Sequence, residues 1–102
     1  MRQAEIYQQG EFAATLLETD RNHYQFTYAP GYRGEPVSLA LPVREVAYDF
    51  DKFPPVFEGL LPEGVLLEAL LRQYKVDKGD LFQQLLIVGE DVVGSISVRE
   101  TK

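Results

Sequence analysis

"HYQFTYA", residues 23 to 29, sets three aromatic side chains, Tyr24, Phe26 and Tyr28, in strict alternation with His23, Gln25 and Thr27. Successive side chains of an extended strand point to opposite faces. The spacing therefore predicts a half-buried antiparallel strand with an aromatic inner face and a polar outer one. Upstream, "QAEIYQ" and "FAATLLE" carry weaker versions of the same pattern. Gln9-Gly10 and Asp20-Arg21-Asn22 separate the three segments, and Gly and Asn tolerate the positive φ that tight hairpin turns require. A three-stranded meander is expected.

Downstream, "APGYRGEP" (residues 29 to 36) reads as a loop because it holds two prolines and two glycines. "VSLALPV" then reads as a resumed apolar strand, which Pro42 either confines to a sheet edge or ends. A short extended piece, "VAYDF", follows.

From Pro54 the apolar period becomes helical. Pro54 and Pro55 suit the first turn of a short helix, and Pro62 is expected to stop it, since the residue before a proline avoids the α region. Pro62-Glu63 can also open the next helix, with a carboxylate at the positive end of its dipole. In that helix, from about Pro62 to Tyr74, residues Leu66, Leu67, Leu70, Leu71 and Tyr74 form one stripe, expected to be core. Glu68 and Arg72 form an i,i+4 pair on the other side, and Val65 falls beside them, where it should be exposed.

A third helix, near Asp80 to Val88, directs Leu81, Phe82, Leu85 and Leu86 inward, with Asp80 or Asp77 as N-cap and Gly89 at its end. "VVGSISV" closes the chain as a strand with Val92, Ile96 and Val98 on one face. The order predicts a single α+β domain over residues 1–102. It would be a mainly antiparallel sheet or partial barrel with about three short helices packed on one side.

Sixteen acidic residues against ten basic ones give a formal net charge of −6, which opposes rather than attracts a phosphate backbone. Between Glu45 and Leu71 stand six carboxylates (Glu45, Asp49, Asp51, Glu58, Glu63, Glu68) and one cation, Lys52. Five of the six surplus negative charges thus lie in about a quarter of the chain, either as a solvated surface or as a face for a basic partner. The absence of cysteine favours a reducing compartment, and no apolar run is long enough to be a signal peptide or a membrane span. A cytoplasmic location is expected.

Chemistry-bearing motifs are scarce. Ser38, Ser95 and Ser97 fall in strand patterns and none in a nucleophile elbow. His23, the single histidine, alternates with the aromatic face and so belongs to the polar side. Asp49 and Asp51 lack a third clustered ligand for a divalent cation. There is no phosphate loop and no kinase catalytic loop. No catalytic residue, metal or cofactor is expected, and the protein is not expected to be an enzyme.

"VFEGLLPEG", followed by "LLRQYKVDKGDLFQQLLIVGEDVVGSISV", resembles the N-terminal subdomain of HipA-family serine/threonine kinase toxins. The shared order is an aromatic and an acidic residue before Leu-Leu-Pro-acidic, a helix, a polar turn with Asp, then Asp-Leu-Phe opening a helix that ends at Gly before an acidic pair. "PVSLALPV" is similar to that family's Ser-Leu-Ser-Leu-Pro strand, so the likeness runs from about Pro36 to Val98. In the family this subdomain leads into kinase lobes, whereas this sequence stops at Glu100-Thr101-Lys102.

A free-standing copy resembles the HipS antitoxins of HipBST toxin–antitoxin systems. The resemblance implies binding in trans to a shortened kinase toxin (HipT-like), with a helix-turn-helix protein (HipB-like) completing the complex. It further implies that the corner at Leu61-Pro62-Glu63-Gly64 aims a helix start at the kinase, so Glu58, Leu61, Glu63, Gly64, Val65 and Glu68 are the expected partner-binding residues. A subunit that completes or bridges the kinase without inhibiting it is the second expectation, and a small enzyme the third.

Overall fold

The computed structural model describes residues 2–20, 22–89 and 96–101. Strands β1 (Gln3–Gln8), β2 (Glu11–Asp20) and β3 (His23–Tyr28) form the expected meander. They are followed by β4 (Tyr48–Phe50), α1 (Pro55–Glu58), α2 (Gly64–Tyr74), α3 (Leu81–Val88) and β5 (Ile96–Glu100). The five strands pair antiparallel in the order β4-β3-β2-β1-β5. The sheet is open rather than a closed barrel, and the helices lie on one side of it.

Local chemistry accounts for the meander. Gln9 (φ 52) and Gly10 (φ 81) both take positive φ, as a two-residue hairpin loop matched to strand twist requires, and Asn22 (φ 61) does the same in the second turn. The register slips between Ile6 and Tyr7, so Ala13 is an extra residue on β2. Ala13 and Ala14 are therefore both buried, while Phe12 turns outward against Tyr7, their ring centroids 5.8 Å apart. That bulge is why the alternation in "FAATLLE" is weak.

One face of the sheet carries the core. Ile6, Leu16, Phe26 and Val98 are fully buried there, and Phe57 of α1 with Phe82 and Leu85 of α3 cover them. Burying each such side chain contributes roughly 1.5–3 kcal/mol. The rings meet at offset and edge-on angles: Phe26 lies 4.9 Å from Tyr28 and 5.7 Å from Phe57, and Tyr24 lies 5.5 Å from Phe53.

The N-terminus of α3 is capped by Asp80, whose Oδ1 accepts from the Gln83 amide at 3.2 Å. Gln84 is buried on the same helix and satisfied, its Nε2 donating to the carbonyls of Asp77 (3.1 Å) and Lys78 (3.0 Å). At the other end Gly89 keeps right-handed helical geometry (φ −59). A Cβ there would stand 2.5 Å from the Val98 carbonyl oxygen, so glycine is demanded by close approach to β5 rather than by a left-handed cap.

Several expectations are corrected. "VSLALPV" forms no strand: residues Ser38 to Leu41 make a tight turn closed by one bridge, with Leu39 94% exposed, and Pro42 neither edges nor ends a strand. The cause is Tyr28, whose buried hydroxyl accepts from the Val37 amide at 3.0 Å and donates to the Leu41 carbonyl, drawing both ends of the turn onto the core. Helix α1 ends at Glu58 with Gly59 as its C-cap, three residues before Pro62, and α2 begins at Gly64 with Glu63 as its N-cap.

The supposed core stripe of α2 buries nothing completely. Leu67, Leu70 and Leu71 are half-covered, while Leu66 is 72% and Tyr74 51% exposed. Among the described residues no ion pair joins Glu68 to Arg72. Ile96 and Val98 do face the core side together, and Val92 lies outside the described residues.

Candidate partner-binding surface

The surface is built by the corner between α1 and α2. Pro54 (φ −59, ψ 128) and Pro55 set the entry to α1, and Phe57 anchors it in the core. The amides of Leu60 and Leu61 then bond the carbonyls of Phe57 and Glu58, both at 3.1 Å, which curls the chain into a tight turn. Leu61 is its last core residue, 9% exposed.

Beyond Pro62 the chain leaves the core. Gly64 takes φ +59 with nothing within 4 Å of a Cβ position, so the corner needs glycine for its left-handed backbone and not for space. The Leu67 amide bonds the Glu63 carbonyl at 3.4 Å and opens α2. Lys75 (φ 55) closes it in the left-handed conformation, its amide bonded to the Leu71 carbonyl.

Of the residues expected at a partner contact, Glu58, Glu63, Gly64, Val65 and Glu68 are exposed on or beside the corner, while Leu61 points into the domain's own core. Val65 is 79% exposed. Two residues outside that set join it on the same surface: Leu66, and Ala69 one turn from both, which is also exposed. Neighbouring large apolar side chains that are largely exposed and rimmed by carboxylates can drive association with a complementary apolar surface that carries basic groups at its edge.

The residue pattern could not single out Leu66, because the wheel gives a stripe but not which of its borders meets the sheet. His23 lies on the polar side as expected, its Nδ1 4.0 Å from a fully exposed Asp51, and Asp49 accepts from the Gln25 side chain at 3.0 Å. Among the described residues no group of three His, Cys, Asp or Glu could hold a metal ion, and no helix is long and apolar enough to cross a membrane.

An open antiparallel sheet covered on one face by short helices, one of which is left with exposed leucine and valine, defines a small α+β domain that presents an apolar patch to solvent. The chain belongs to the HipA N-terminal domain family, whose model matches residues 4–99. It is similar, at 33% identity over 102 residues, to an uncharacterized protein of Haemophilus influenzae, the match spanning 100% of this chain and 95% of that protein. Among solved structures it is similar to the N-terminal domain of HipA toxin, with a TM-score of 0.78 and 29% identity over 100% of this chain and 94% of that one.

Proposed function

We propose that this protein is an antitoxin-type binding module that associates in trans with a HipA-like serine/threonine kinase toxin and neutralises it. The observation that carries the reading is the pair Val65 and Leu66, 79% and 72% exposed at the first turn of α2 and flanked by Glu63 and Glu68. Exposing two adjacent large apolar side chains at a corner that also demands a left-handed glycine costs stability, and such a cost is offset when a partner covers them. Membership of the HipA N-terminal domain family supports a partner from a toxin–antitoxin system. The Haemophilus influenzae relative, 95% of whose length is matched, supports the reading that this domain is used outside a full kinase chain.

On this reading the contact surface comprises Glu58, Glu63, Gly64, Val65, Leu66 and Glu68, with Leu61 holding the corner from within. A HipB-like helix-turn-helix protein would join the same complex, and direct nucleic-acid binding by this acidic chain is not part of the function. The test is a phosphorylation assay with a purified HipA-like kinase lacking its own copy of this domain, with and without this protein. Loss of kinase activity on stoichiometric addition is expected. Complex formation with undiminished kinase activity would replace the antitoxin by a structural subunit, and absence of any complex would overturn the proposal.

A further inference from the structure

A second surface, separate from the α2 corner, lies where β3 outruns β4. The alternation of the sheet ladder turns the main-chain groups of Thr27 toward Thr15 of β2 and those of Tyr28 the other way, toward the β4 side. Strand β4 pairs only with Tyr24 to Phe26 and begins at Tyr48. No described main-chain group bonds the outward amide or carbonyl of Tyr28.

Ahead of β4 the backbone is folded onto Arg44. Its Nε donates to the Val46 carbonyl at 2.9 Å and its Nη2 to the Ala47 carbonyl at 3.2 Å, with the guanidinium 3.6 Å over the Tyr48 ring. The Val46 carbonyl, which the register would set opposite Tyr28, is thereby taken by a side chain.

The gap this leaves is a groove of about 570 Å³, apolar along Tyr28, Pro30, Tyr32 and Val43. Its wall is rigid: the Tyr28 and Tyr32 rings stack 5.6 Å apart, and the Tyr32 hydroxyl donates to the Glu35 carbonyl at 2.6 Å. Arg33 and Arg44 line it against a single carboxylate, Glu45, so the groove is locally positive on a chain whose formal net charge is −6. Arg33 is exposed and makes no ion pair with a described residue.

We propose that this groove is a docking site for an extended peptide segment of a protein partner, one that alternates apolar and acidic side chains. Its backbone would bond the open edge of Tyr28, its apolar side chains would lie on the Tyr28–Tyr32 wall, and a carboxylate would meet Arg33. The preference for acid follows from the charge of the lining, which is opposite to that of the α2 corner.

The experiment uses the full chain, isotope-labelled and without any kinase, so its outcome is independent of the function proposed above. Amide resonances are followed by NMR while a short blocked peptide of alternating valine and glutamate is added, then its lysine analogue. Shifts confined to Thr27–Arg33 and Val43–Glu45 are expected with the glutamate peptide. They should weaken at least about tenfold in apparent affinity with the lysine peptide and with Arg33→Glu, an exposed substitution whose retained fold the same spectra report. The proposal is overturned if neither peptide shifts those amides, if both bind equally, or if Arg33→Glu binds the glutamate peptide undiminished.

Discussion

Arg2 and Asp80, 78 positions apart in the chain, are joined by two hydrogen bonds of 2.9 and 3.0 Å from one guanidinium nitrogen to both carboxylate oxygens. The remaining face of the same guanidinium holds Glu18 in a two-pronged pair at 2.8 Å, and its carbon lies 5.0 Å from the centre of the Phe82 ring. One side chain just ahead of the first strand therefore ties β2 to the capped end of α3.

Acid should loosen this tie. The hydrogen bonds from Arg2 hold the Glu18 carboxyl below its ordinary value of 4.5. A carboxyl whose pKa is depressed on folding binds its proton more readily in the unfolded chain. Its stabilisation is thus fully present above about pH 4.5 and is lost as pH falls through the folded-state value. Thermal melts of the parent should fall steeply below that pH. Arg2→Met, which we expect to cost about 2 kcal/mol at neutral pH, should show a flatter acid limb. Parallel acid limbs in the two proteins would remove Arg2 as the cause.

The half-exposed α2 face and the core separate in mutation. Phe82→Ala, at a fully buried ring, should cost about 3–5 kcal/mol, whereas Leu70→Ala, on a helix with no buried residue, should cost less than about 1 kcal/mol. Val65→Arg should change stability by about 0.5 kcal/mol or less and still abolish the proposed neutralisation of a HipA-like kinase, because it would place a cation in the proposed apolar contact. Chemical denaturation and growth rescue measured on the same variants check both halves.

Two glycines should respond differently to alanine. Gly89→Ala puts a methyl 2.5 Å from the Val98 carbonyl oxygen, and the α3–β5 contact must open, at about 1–3 kcal/mol. Gly10→Ala meets nothing within 4 Å but sits at φ +81, so it should cost only the backbone strain, about 1 kcal/mol. Equal losses in equilibrium unfolding would contradict the close approach at Gly89.

Association with the proposed kinase should be salt-sensitive. Exposed Glu58, Glu63 and Glu68 surround the α2 corner, and at about 0.15 M salt the Debye length is near 8 Å, so their long-range pull is felt mainly at low ionic strength. The association rate should fall on raising salt, with the dissociation rate little changed. A rate constant indifferent to salt would leave these carboxylates with a solubilising role alone.

Much of the architecture follows from local rules that the chain states directly. Tyr24, Phe26 and Tyr28 alternate because a pleat has period two, Gln9-Gly10 and Asn22 supply the positive φ of the turns, and Asp80 caps α3 through its own side chain. Each depends on residues a few positions apart, and so each is legible in order. The exposed Val65 is legible for the same reason, from the helical repeat alone.

Tertiary structure decided what depends on distant partners. "VSLALPV" has the composition of a strand, but the Tyr28 hydroxyl takes Val37 and Leu41 and makes it a turn. Gly89 is required by Val98, which packs against it from the neighbouring strand β5. The leucines of α2 have the spacing of a core face, yet spacing fixes only that they share a side. Whether that side is covered depends on how much sheet lies beneath it, and here α1 and α3 already occupy that sheet, leaving Leu66 to solvent.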